Sequence, residues 1–183
     1  WQIRPDWDYL VYPDDFPPDR MPRTIQDGQT LIDENEFVPA QNEFGGFVYA
    51  GGTMAYPAAY WALARLMPEM MLFIGCDMHY PKNGDTHFYG TGTPDPLRED
   101  ITLTSLEASS ARLYCLASDA GCQIYNLSDG PSRLLFDRAT ISEEGILQMT
   151  SVGSAPDLAR MKAALAEENR LGYLVENGRY WES

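Results

Sequence analysis

The sequence predicts an α/β fold: a three-layer, Rossmann-like arrangement with a mainly parallel sheet and helices on both faces. Three observations point to it. Short apolar runs bounded by glycine and proline alternate with stretches of helical period. One strand–helix–strand unit over Gly46–Gly75 has about the 30 residues of a right-handed parallel crossover. The apolar fraction of 44% and charged fraction of 22% suit an ordinary globular protein, and 183 residues are enough for one real core. The reading is therefore a single domain over residues 1–183.

Taken in order, Asp8–Tyr12 (DYLVY) is a short apolar run between proline-rich turns and reads as a buried strand. Pro13–Pro22 is charged and rich in proline, which makes it a loop rather than a helix. Residues 23–44 are poorly patterned and suggest no more than a short strand or turn. Gly46–Ala50 (GFVYA) is the next strand. Thr53 can cap a helix over Met54–Leu66, where Pro57 is tolerable because it falls in the first turn. Met70–Gly75 is the following strand, ending abruptly at Gly75-Cys76-Asp77. The stretch 76–100 is long, polar and rich in Gly and Pro, and loops of that length in compact domains are usually functional or disordered. Helical periodicity returns over Thr102–Gly121, with Leu103, Leu106, Leu113, Leu116 and Ala117 largely on one face and Gly121 placed to stop the helix. Cys122–Leu127 is a strand, Ser128–Pro131 a turn and Pro156–Arg170 an amphipathic helix. Tyr173–Trp181 suggests a terminal strand or hairpin around Asn177-Gly178.

The net charge of −14 disfavours a nucleic-acid backbone or an anionic membrane as partner. It does not exclude a nucleotide, because a small pocket can be lined with N–H groups. Cys76, Cys115 and Cys122 are scattered, lack CxxC spacing and suggest neither zinc nor a disulfide framework, which points to the cytoplasm. The longest apolar run, Met70–Ile74, is too short to span a membrane. The aromatic-rich tail (Tyr173, Tyr180, Trp181) permits a homo-oligomer interface without demanding one.

In open parallel sheets, ligands bind outside the carboxyl ends of the strands. Gly51-Gly52-Thr53 joins a strand to a helix there. Two glycines allow close backbone approach and the helix N-terminus offers free N–H groups, so the turn suits a phosphate or nucleotide; it also makes a good structural turn and cap. Asp77 follows a strand end and either meets a ligand or closes the strand as an Asx-turn. His87, in Asp85-Thr86-His87-Phe88-Tyr89, is the natural general base at neutral pH, or a histidine bonded within its loop. His79, between Met78 and Tyr80, reads more as packing at a strand end. Asp77, His79 and His87 match no strong metal signature, and no metal is expected. Tyr80 and Tyr89 flank the histidines and either donate to a departing phosphate or pin the loop. Asn126 and Ser128 end the next strand and either join the rim of a nucleotide site or serve only the structure there. Ser132-Arg133 offers a hydroxyl and a guanidinium suited to an anion. No GxSxG motif or plausible cysteine nucleophile supports covalent hydrolase chemistry.

These features together resemble a known group. A GG[TS] turn opening an Ala-rich helix, an apolar strand ending G-x-D, then a tyrosine and a later histidine before a long helix are similar, over Gly46–Asn126, to bacterial sialyltransferase-like proteins. That group includes the Campylobacter-type lipooligosaccharide sialyltransferases and proteins similar to archaeal 6-hydroxymethylpterin diphosphokinase. The resemblance implies a Rossmann-like domain that binds CMP-sialic acid without a metal or other cofactor. Gly51, Gly52 and Thr53 would contact the nucleotide. Asp77 would lie at the sugar or ribose side and Tyr80 would hydrogen-bond the leaving phosphate, although GCDMHY holds one residue more than the usual G-x-D-x-Y. His87 would deprotonate the acceptor hydroxyl. The group opens with a strand, a G-x-G-x-S turn and an asparagine at the end of its second strand. None of these stands in this sequence, which begins at Trp1, so the resemblance implies that the glycine-rich segment is missing from it.

The leading expectation is a metal-independent glycosyltransferase that moves a sugar from a nucleotide donor, CMP-linked, to a glycan acceptor of the cell surface, as in lipopolysaccharide biosynthesis. A second reading is Mg²⁺-dependent pyrophosphoryl transfer to a pterin, with Asp77, Asp85 and Asp95 as metal ligands. A third is a non-catalytic binding or scaffold domain.

Overall fold

A computed structural model describes residues 5–45, 53–76, 78, 105–142, 147–149 and 156–171. The strands are short, mainly parallel and alternate with helices, so the chain is α/β and Rossmann-like. The strands predicted at Gly46–Ala50 and Tyr173–Trp181 lie outside the described residues.

DYLVY forms β1 (Tyr9–Val11), parallel to β2 (Thr30–Ile32) with Leu10 opposite Leu31. The ladder continues through Thr30 N–H to the Asp8 carbonyl (2.8 Å) and Tyr12 N–H to the Ile32 carbonyl (3.1 Å). Between the strands, the proline-rich stretch is irregular apart from one 3-10 turn at Pro18–Arg20.

The poorly patterned stretch also holds a helix, α1 (Glu34–Asn42). The Asp33 carboxylate caps it by accepting from Asn35 N–H at 2.9 Å, and Glu34 and Glu36 favour the positive end of the helix dipole. Asp33-x-x-Glu36 has the sequence form of a capping box, but the internal Pro39 lacks an N–H and disguises the helix.

Helix α2 (Ala55–Arg65) begins close to the predicted position. Thr53 Oγ1 accepts from Ala55 N–H at 3.3 Å, and Pro57 falls in the first turn, where its missing N–H leaves no gap. This helix is apolar on two sides. Tyr56, Tyr60 and Leu63 enter the main core, whereas Trp61 packs with Phe37, Ala40 and Ile32 and meets the Tyr9 ring at 4.9 Å.

Strand β3 (Met70–Phe73) pairs in parallel with β4 (Gln123–Asn126), Phe73 opposite Asn126, and Leu127 N–H extends the ladder to the Phe73 carbonyl (2.8 Å). Phe73 and Ile124 face the core formed with α2 and with α3 (Leu106–Asp119). Ser105 Oγ caps α3 by accepting from Ala108 N–H at 3.3 Å. At the other end Gly121 takes φ +77°, its N–H bonds to the Ser118 carbonyl and Cys122 N–H bonds to the Ala117 carbonyl: a Schellman motif at the predicted stop. Helix α4 (Leu158–Leu171) packs on α3 through Met161, Ala111 and Leu135.

Two further strands carry no strong sequence signal. Strand β5 (Asp137–Ile141) is parallel to β4 but pairs with it only through Tyr125↔Asp137 and Asn126↔Arg138. It then runs on with antiparallel β6 (Leu147–Met149) as partner. Ala139 is its one buried residue, so no apolar alternation marks it. Among the described residues, no helix is long and apolar enough to cross a membrane.

Gly121→Ala isolates the cost of the left-handed turn, because a Cβ there would meet nothing within 4 Å. The expected loss is about 1–2 kcal/mol in urea denaturation, with Gly121→Asn losing less. A neutral Gly121→Ala would overturn this account of the helix end.

Candidate functional site

The topology brings the exits of β3 and β4, the first turn of α2 and the first turn of α3 to the carboxyl end of the sheet. The polypeptide leaves β3 through two left-handed residues, Gly75 (φ +69°) and Met78 (φ +58°). Met78 has a Cβ and still adopts this conformation, at a cost of about 1–2 kcal/mol. Its side chain is buried, and Sδ lies 3.3 Å from the Tyr56 hydroxyl. That hydroxyl donates to the Leu106 carbonyl at 2.9 Å. One phenol from α2 thus joins the segment leaving β3 to the start of α3. Burial, followed by the neighbouring Tyr60 and Glu107, pushes the Tyr56 pKa well up, so it remains a neutral donor.

Of the predicted site residues, Thr53, Asn126 and Ser128 are described, whereas Gly51, Gly52, Asp77, Tyr80 and His87 lie outside the described residues, as do His79, Asp85, Tyr89 and Asp95. Thr53 is half-buried and stands one residue before the N-cap of α2, Met54, which makes no side-chain cap bond; its Oγ1 accepts from the first helical N–H, that of Ala55. Asn126 is fully buried at the end of β4. Its Oδ1 accepts from Ser128 N–H at 2.9 Å, an Asx-turn that fixes which end of the amide is which. Nδ2 is consequently a defined donor, and among the described residues it has no hydrogen-bond partner. The buried Ser128 Oγ has none either. A buried donor left unpaired costs about 1–3 kcal/mol, and native proteins rarely carry one without a use for it. Fully buried Asn126 and half-buried Ser128 thus leave two polar atoms without partners among the described residues at the carboxyl end of β4, as Gln41 and the Trp61 indole do elsewhere.

Ser132 and Arg133 do other work. Ser132 Oγ accepts from Leu134 N–H (3.1 Å), and Arg133 grips Glu107 with both arms, Nε to Oε1 at 2.9 Å and Nη2 to Oε2 at 2.7 Å. Arg160 of α4 adds Nη2 to Oε1 at 3.4 Å. Glu107 thereby ties the first turn of α3 to the loop before β5 and to α4. Arg138 donates from Nη1 to the carbonyls of Ser128 and Gly130, at 2.8 Å each. Tyr56, Glu107 and Arg138 were not identifiable from the sequence, because each acts through partners distant along the chain or through backbone atoms. Among the described residues, no group of three or more His, Cys, Asp or Glu side chains could hold a metal ion.

Burial alone would raise the Glu107 pKa, but the hydrogen bonds and charge of Arg133, with Arg160, outweigh it and hold the carboxyl below the usual 4.5. A depressed folded-state value makes this contribution complete above the unfolded-state value, fading as pH falls through the folded-state value. Glu107→Gln should cost about 1–3 kcal/mol at pH 7 in urea denaturation, with the gap from wild type closing below about pH 4.5. A gap that stays constant into acid would remove the ion pair as its cause.

The chain matches no family model, no curated protein and no solved structure.

Proposed function

We propose that this chain is a glycosyltransferase that takes a sugar from a CMP-linked nucleotide donor and passes it to a glycan acceptor. The supporting observation is that buried Asn126 Nδ2 and Ser128 Oγ, at the carboxyl end of a parallel strand, have no hydrogen-bond partner among the described residues. An amide donor and a hydroxyl suit the acceptor oxygens and ring nitrogens of a nucleotide. Thr53 at the opening of α2 suits the phosphate side, where free helix N–H groups favour an anion. Cys115 and Cys122 are free thiols rather than disulfides, which accords with a cytoplasmic setting, where nucleotide sugars are used.

In this reading the acceptor oxygen attacks the anomeric carbon as the bond from that carbon to the phosphate oxygen breaks. The bonding pair leaves with CMP. His87 takes the acceptor proton, Tyr80 donates a hydrogen bond to the departing phosphate, and Asp77 orients the donor sugar. Gly51 and Gly52 let the peptide backbone approach the nucleotide closely. No metal takes part.

Two measurements test the proposal. Ser128→Ala removes a buried hydroxyl that has no partner among the described residues, so unfolding stability should hold or rise, by up to about 1–3 kcal/mol. CMP affinity by calorimetry should fall about three- to tenfold, the worth of one hydrogen bond of 0.5–1.5 kcal/mol. Unchanged affinity would remove Ser128 from the site, and CMP binding that appears only with Mg²⁺ would contradict the metal-independent mechanism. For turnover, His87→Ala should abolish sugar transfer while sparing CMP binding. The wild-type rate should decline as pH drops below about 6.5, because protonation takes the lone pair that a base needs. A folded His87→Ala protein with full turnover would refute the assignment of the base.

A further inference from the structure

We infer that Arg138 is a positioning residue for the ligand site at the end of β4, a deepening that rests on the nucleotide reading above. Three observations carry it. First, β5 pairs with β4 only at its first two residues, so residues 139–141 pass beyond the end of β4. At about 3.3 Å per residue, that overhang is roughly 10 Å. The strand carrying Arg138 therefore stands beside the candidate site. Second, Nη1 of Arg138 gathers two carbonyls of the same turn, Ser128 and Gly130, at 2.8 Å each. A cationic donor between two carbonyl oxygens gives charge-assisted bonds, stronger than neutral ones. Third, that turn is the one that holds Ser128 Oγ and is closed by Asn126 Oδ1, and it leaves Asn126 Nδ2 unpartnered.

The consequence is physical. The Ser128 and Gly130 carbonyls need donors. With Arg138 supplying them, they have no call on the amide donor two residues upstream of Ser128. Without the guanidinium, Asn126 Nδ2 becomes a donor that a released carbonyl can capture, and a donor so captured is lost to a ligand. Arg138 thus keeps the site open by satisfying the groups that would otherwise fill it. It touches the turn and not the ligand, and so acts through Ser128 and Asn126.

The test compares wild type, Arg138→Ala, Ser128→Ala and the double variant, with CMP as the probe in calorimetry and backbone amide exchange measured without ligand. Arg138→Ala should weaken CMP binding about tenfold. In the absence of CMP it should also speed exchange of the Ser128 amide, while the amides of β3 and α3 keep their protection. Because Arg138 acts through the turn, its effect on CMP binding should shrink in the Ser128→Ala background, whereas a general loss of stability would simply multiply. If Arg138→Ala does not fold, Arg138→Gln is read in its place with the same expectations. Wild-type affinity in the Arg138 variant, or fully multiplicative effects, would overturn this inference alone. Failure of the wild-type protein to bind CMP would overturn the nucleotide reading and this inference with it.

Discussion

The carboxyl end of the sheet depends on one buried hydroxyl. Tyr56 comes from the first turn of α2, yet its hydrogen bond is made to the Leu106 carbonyl, fifty residues away, with Met78 Sδ against the same oxygen. A phenol in this position cannot be left without a partner, since an unpaired buried hydroxyl costs more than a paired one contributes. The start of α3 must therefore come to it. The residue leaving β3 accepts a left-handed backbone in order to bury its side chain beside it. Three connections that a parallel sheet would otherwise leave independent are thus held in one geometry.

Helix α2 extends that constraint through the molecule. Its core face carries Tyr56 and Tyr60 toward Phe73 and α3, and its opposite side carries Trp61 toward α1 and the β1–β2 pair. A helix apolar on two sides belongs in the interior, and α2 accordingly links two packing clusters that share no strand. On the far side of α3, Glu107 performs the corresponding task with ionic groups, joining the loop before β5 and α4 to the same helix end. The turn after β4 is thus flanked by structure fixed from both directions.

What the sequence makes legible follows from the range of the forces involved. Helices α2 and α3 were readable because Thr53 and Gly121 act on backbone groups within a few residues of themselves, whereas Ser105, the cap of α3, was not singled out in the sequence. A mainly parallel sheet was readable from the alternation of strand and helix patterns, and β3 and β4 pair accordingly, whereas the strand–helix–strand unit read over Gly46–Gly75 begins in a strand outside the described residues. Helix α1 was hidden because Pro39 contradicts its capping signal, and only packing against α2 overrides the proline. Strands β5 and β6 draw their order from each other and from two residues of β4, which no periodicity records. Arg133 looked like an anion ligand because nothing local reveals that Glu107, twenty-six residues earlier, already fills its fork.

That last point bears on how so acidic a chain could hold an anionic ligand. With a net charge of −14, long-range electrostatics oppose a phosphate. The arginines do not simply offset this. Arg65 is paired with Glu43, Arg133 and Arg160 with Glu107, and Arg170 with Glu167, while Arg138 holds carbonyls. On the proposed nucleotide reading, what the described residues offer at the end of β4 is a pair of neutral donors at short range, the Asn126 amide and the Ser128 hydroxyl. Such donors are effective only where water is excluded and their geometry is already set, because a mobile neutral group gains little over its bonds to solvent. The buried amide fixed by its Asx-turn, and the turn fixed in its place by Arg138, meet both conditions. On the proposed reading, positioning takes the part at this strand end that positive charge plays in more basic sites.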